Sequence, residues 1–120
     1  MANPNIVNVS NILGKTVGVA ATTTMTALVT NSASSGSIYK INSLIVSNVD
    51  GTNAADVTVE FYDNQSNAVK LVSTVTVPAD ATLVVISKET SIYLEENDSI
   101  RIQASADGDL QAVCSYEIIS

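Results

Sequence analysis

From residue 38 onward, apolar and polar residues alternate with a period of two. Val57, Val59 and Phe61 alternate with Thr58, Glu60 and Tyr62, and Ile100, Ile102 and Ala104 with Arg101, Gln103 and Ser105. Leu110, Ala112, Cys114, Tyr116 and Ile118 repeat the pattern near the C-terminus. Successive side chains of a strand point to opposite faces, so this spacing predicts strands that bury one face. Val, Ile and Thr are abundant, and their stiff β-branched side chains suit a pleated surface better than a helix. No window of about 11 residues carries a clean helical stripe, so no substantial helix is expected.

Turn chemistry divides the pattern. Asp50-Gly51-Thr52-Asn53 closes a strand over 38–48, and Asp63-Asn64-Gln65-Ser66-Asn67 reads as a hairpin loop between strands over 55–62 and 68–77. Pro78-Ala79-Asp80 leads into a strand over 81–87. Glu95-Glu96-Asn97-Asp98 precedes one over 99–105, and Asp107-Gly108-Asp109 turns into the last, over 110–119. Two more strands are expected over 16–20 and 23–30. The total of about eight short strands predicts an all-β, antiparallel β-sandwich, either jelly-roll or Ig-like in topology.

The 120 residues make a single domain, with no repeat and no linker. Residues 1–12 read either as an extended arm, with Ile6, Val7 and Val9 among its anchors, or as an ordinary first edge strand. An arm brings unpaired backbone groups to a neighbouring subunit. Ile6, Val7 and Val9, with Asp50, Gly51 and Asn53 of the first turn, are therefore the candidate interface residues.

Charge changes the picture more than apolar content does. Charged residues make up 14% of the chain, against about 25% in an ordinary soluble domain, and Ser, Thr and Asn take their place. Such a surface can be covered by a neighbour without desolvating charges, which favours a protein packed into an assembly. The net charge of −7 and only five cationic side chains argue against nucleic acid as a partner. They argue equally against anionic membranes, and no apolar run approaches the roughly 18 residues of a spanning helix. The first residues lack the cationic and apolar segments of a signal peptide, so synthesis in a cytoplasm is expected.

Candidate chemistry is sparse. With no histidine, the usual base of serine and cysteine hydrolases is missing, and no glycine-rich phosphate loop occurs. Catalysis is not expected, and no cofactor is called for. The lone Cys114 falls on an alternating strand and reads as a small buried hydrophobe. Two acidic loops are the candidate calcium ligands: Asp107 and Asp109 in one, Glu95, Glu96 and Asp98 in the other. Neither matches an EF-hand, and the simpler reading is that these acids cap turns. A sugar-binding module is a further option for a small sandwich. The absence of Trp counts against it, because sugars stack on aromatic faces.

Three long segments carry a resemblance: Met1-Ala2-Asn3-Pro4-Asn5-Ile6-Val7, YKINSLIVSNVDGTNAADVTVEFY over 39–62, and TVTVPADATLVVISKETSIYLEE over 74–96. With the closing Cys114-Ser115-Tyr116-Glu117, they resemble small accessory virion structural proteins of tailed phages, particularly those of marine cyanobacteria. The resemblance implies a non-enzymatic part of the particle, localised to the virion. The leading expectation is a capsid decoration or cement protein, binding the major capsid protein as a homo-oligomer, with a trimer favoured. A neck, tail or fibre-associated component is the close alternative. A receptor- or glycan-binding module and an extracellular adhesin domain are the readings from other classes.

Overall fold

The computed structural model describes residues 4–120 of the chain. Among the described residues nine strands follow one another: β1 (Ile12–Ala20), β2 (Thr26–Thr30), β3 (Ile38–Asn48), β4 (Ala55–Asp63), β5 (Asn67–Val77), β6 (Thr82–Ile86), β7 (Ile92–Leu94), β8 (Ser99–Ala104) and β9 (Leu110–Ile119). The only helical element among the described residues is one 3-10 turn, Lys88–Thr90. The strands form two antiparallel sheets, ordered β1-β9-β3-β6 and β2-β8-β4-β5. β7 pairs with the same edge of β3 as β6 does, further along that strand. β6 and β7 therefore behave as one strand interrupted by the 3-10 turn.

This order decides between the two topologies left open by the sequence. The pairs β4–β5, β3–β6/β7, β2–β8 and β1–β9 are nested inside one another. A long antiparallel ribbon has been folded over, and β3–β9 and β4–β8 then zip its two limbs together. That is a jelly roll, and it rules out Ig-like pairing. Its loops fall into two clusters. The connections 21–25, 49–54, 78–81 and 105–109 meet at one end. The connections 31–37, 64–66 and 95–98 meet at the other, with both chain termini.

Alternation places Leu44, Val46, Val57, Val59, Ile100, Ile102, Leu110, Ala112 and Cys114 in the layer between the sheets, all essentially inaccessible to solvent. Two asparagines seal the ends of this core. Asn48 donates from Nδ2 to the carbonyls of Asn53 and Val77, both at 2.9 Å, while its Oδ1 accepts from the Asp50 amide. Asn31 donates to the carbonyls of Ser37 and Leu94 at 3.0 and 2.9 Å, and its Oδ1 accepts from the Ser35 hydroxyl.

Differences from the expected elements have local causes. β1 starts at Ile12 rather than near residue 16, so the strand takes in the end of the expected arm. β2 starts at Thr26, because Thr22 and Thr24 hydrogen-bond each other in a turn. β7, a strand of three residues, was not expected. The β4–β5 hairpin is closed by Asn64 and Gln65, both at positive φ, with the Ser66 amide bonded to the Asp63 carbonyl. Such primed turns favour glycine at the second central position. Replacing Gln65 by Gly is accordingly expected to raise stability, by up to about 1 kcal/mol, as relief of the left-handed strain outweighs the added chain entropy. A urea titration that showed a loss would contradict this.

Candidate functional site

The structure distributes the candidate residues over both ends of the molecule. Asp50, Gly51 and Asn53 form a self-capped turn: the Asp50 carboxylate accepts from the Thr52 and Asn53 amides and from Asn53 Nδ2. Those backbone bonds hold the Asp50 carboxyl below its usual pKa. Ile6, Val7 and Val9 lie at the opposite end of the roll. There the Asn8 amide bonds to the Asn5 carbonyl in a tight turn, while Ser10 and Asn11 pair with Ser120. Val7 is 84% exposed and Ile6 52%, whereas Val9 is half-buried. The two sets of candidate interface residues thus do not share one surface. Residues 1–3, which begin the proposed arm, lie outside the described residues.

The two acidic loops are separated in the same way. Asp107 and Asp109 sit at the Asp50 end, where Asp107 accepts from the Thr23 amide. Glu95, Glu96 and Asp98 sit at the other end. Asp98 is buried and committed to the backbone, accepting from the Asn64 and Glu95 amides at 2.9 Å each, and Glu96 accepts from the Gly36 amide. No group of three or more potential ligand side chains converges among the described residues. These acids organise loops, and beside them Asp63 has its pKa raised by burial and by the charge of Asp98.

Cys114 is buried in β9, and burial pushes its thiol up to about 11. The native protein is expected not to react with a water-soluble disulfide reagent at neutral pH. The same protein in denaturant should release one equivalent of thiolate product per chain. Rapid labelling of the folded chain would contradict the placement of Cys114.

Three surface features stand out. The first is the outer face of the β1-β9-β3-β6 sheet. The cross-strand register sets Gly18, Val113, Ile45 and Val84 side by side in one row. Val113 and Val84 are exposed there and Ile45 is half-buried. The flanking rows are Ala20, Gln111, Ser47 and Thr82 on one side and Thr16, Ser115 and Ser43 on the other. None of these positions is charged. The charged pair Lys40 and Glu117 begins only in the next row.

The second feature is an apolar cleft between the edges of β5 and β7, lined by Phe61, Val69, Leu71, Ile92 and Tyr93. Its volume of about 200 Å³ falls below the usual range for small-molecule pockets. The third is a charged ladder on the outer face of the other sheet. Glu60 lies between Arg101 of β8 and Lys70 of β5, bonded to both, and the Arg101 guanidinium stacks 3.7 Å over the Tyr62 ring. The sequence placed Glu60 on a solvent face, yet its neighbours bury it completely.

No family model matches the chain, and no curated protein matches it either. Among solved structures, the chain is similar to a subunit described in work on Bacillus endospore appendages as a novel family of disulfide-linked pili. The TM-score is 0.52 at 20% sequence identity, over 91% of this chain and 88% of the other. That likeness shows the fold.

Proposed function

We propose that this protein is a non-enzymatic structural subunit of a virion, a decoration protein that sits on the outside of the head and stabilises joints between major capsid subunits. The observation that carries the reading is the uncharged outer sheet face around Val113, Ile45 and Val84. Burying this face removes apolar surface from water and desolvates only hydroxyls and amides, which can be rebonded across an interface. The resemblance of the long sequence segments to phage accessory proteins supplies the particle. The exposed acids at both ends of the roll, such as Glu95 and Asp107, remain in water, where net negative charge keeps particles apart.

A pilus subunit is the reading that the endospore appendage structure brings to mind. Disulfide linkage of the kind named for those pili does not transfer to this chain, whose one cysteine is buried inside β9. In this reading, assembly through this chain does not use a disulfide.

The test is deletion and add-back. Phage particles lacking the protein are mixed with purified protein, and bound copies are counted by quantitative mass spectrometry. Saturation at hundreds of copies per particle, with improved resistance of heads to heat, is the expected result. Val84→Lys, at an exposed position, should abolish binding while leaving the fold intact. Saturation at a few copies, up to dozens, would replace this reading by the neck or tail alternative. No binding at all would remove the virion reading.

A further inference from the structure

Each sheet has two edges, and three of the four edges are protected against pairing with another chain. β2 has only five residues and a register irregularity between Ala27 and Val29. β5 is long, but its pairing with β4 is broken by one bulge at Ser73–Thr74 and another at Leu71, and Thr74 stands at φ 52. The edge made by β6 and β7 is interrupted by the 3-10 turn. Short length, bulges and interruptions are the devices by which natural sheets avoid edge-to-edge association.

β1 has none of these three, and its one charge is Lys15, on the inward-facing side. It runs for nine residues, Ile12–Ala20, in unbroken register with β9 and without proline. Among the described residues β9 is its only strand partner, so its other side presents a row of unpaired amides and carbonyls. It also exposes apolar side chains, with Ile12 and Leu13 each 57% accessible.

We infer that β1 pairs antiparallel with β1 of a second copy across a two-fold axis at Thr16, joining the two four-stranded layers into one continuous sheet. The strand is its own complement in this register. Val17 and Val19 face inward with the buried Cys114 and Ala112, so the even-numbered residues face outward. The two-fold at Thr16 sets Thr16 opposite its own copy, a favourable cross-strand pair, and Gly14 opposite Gly18. Ile12 meets Ala20 and Leu13 meets Val19, so both exposed apolar residues gain apolar neighbours. Lys15, the only charge on the strand, meets Val17 rather than another lysine. The contact is isologous and closes at two copies. It rests on the reading of the chain as an assembly subunit, and it uses the backbone edge of β1, whose outward residues Thr16, Gly18 and Ala20 border the face proposed to dock on the capsid.

Light scattering on a sizing column tests this with the purified full chain. The expected mass is about 25 kDa, twice the 12.5 kDa of one chain. Thr16→Lys sets two lysines against each other on an exposed edge and should give a folded monomer. Thr16→Glu alone should do the same, and an equimolar mixture of the two variants should recover the dimer mass. Ser73→Lys, on the protected β5 edge, should leave the mass unchanged. A wild-type monomer at high micromolar concentration, a trimer, or a dimer that survives Thr16→Lys would each overturn the inference. Failure here leaves add-back to the particle unaffected, and failure of add-back leaves the solution mass unaffected, so the two are separable.

Discussion

Asn31→Asp is expected to destabilise the protein by roughly 3–5 kcal/mol at neutral pH. The side chain of Asn31 is wholly inaccessible, and its amide nitrogen donates to the carbonyls of Ser37 and Leu94. A carboxylate in its place would hold an acceptor, and a negative charge, against two carbonyl oxygens that have no water to turn to. Its pKa should rise, so the variant recovers part of its stability as the pH is lowered and the acid becomes a donor again. Asn31→Ala removes the side-chain donor from the same carbonyls and the acceptor from the Ser35 hydroxyl, but introduces no charge. Its loss should be smaller, about 2–3 kcal/mol. Urea titrations of the three proteins at pH 5 and pH 7 check the ranking. A loss under about 1 kcal/mol for Asn31→Asp would show that water reaches this end of the core.

Glu60→Gln is expected to lower stability by about 2–3 kcal/mol at pH 7. Glu60 is 1% exposed, and burial alone would push its carboxyl up. Hydrogen bonds from Lys70 and Arg101, together with their charges, outweigh that and hold it below its usual value. Removing the carboxylate strands two cations. Their side chains are 47% and 28% exposed, so they rehydrate in part, and the effect falls below that of breaking a fully buried pair. The linkage has a definite sign. A carboxyl whose folded pKa is depressed contributes stability that is fully present above its unfolded value, near 4.5, and lost as pH falls through the folded value. Asp50 acts in the same direction, so the wild type should weaken in acid from both sources. The difference between wild type and Glu60→Gln isolates the Glu60 share and should shrink below pH 4.5. A difference that stays constant from pH 7 to pH 3 would mean that packing, rather than charge, is what the substitution removes.

The ranges 38–48 and 110–119 were legible to the residue, because each is an apolar-rich stretch bounded by turn residues, although β3 changes its buried side at a bulge between Ile41 and Ser43. β1 was half hidden. Its outer half is exposed on both faces, and Lys15 interrupts the apolar side of the pattern at Leu13, Val17 and Val19. β7 is too short to display any period. Jelly-roll topology was not readable, since it depends on which distant strands meet, and period two is the same in either sandwich. Asn31 and Glu60 escaped for a related reason. Asn31 looks like one more polar residue in a stretch rich in Ser and Thr, and its importance comes from Leu94, which is 63 residues away. Glu60 alternates as a solvent-facing residue should, and only the cross-strand placement of Arg101 and Lys70 covers it. The acidic loops carried a metal-like composition, but the roll sends them to opposite ends.

Nesting of the strand pairs also sets an order in time. The β4–β5 hairpin, closed at Asn64 and Gln65, is local in sequence, while each pair outside it closes a longer loop at a higher entropic cost. Folding that starts at this hairpin and zips outward reaches β1–β9 last, where Ile12 meets Ile119 across nearly the whole chain. The edge strand inferred to join two copies is then the last to acquire its own partner in the monomer. On that route β1 becomes a flat, ordered edge only when the rest of the roll is already closed, which would limit premature pairing between partly folded chains.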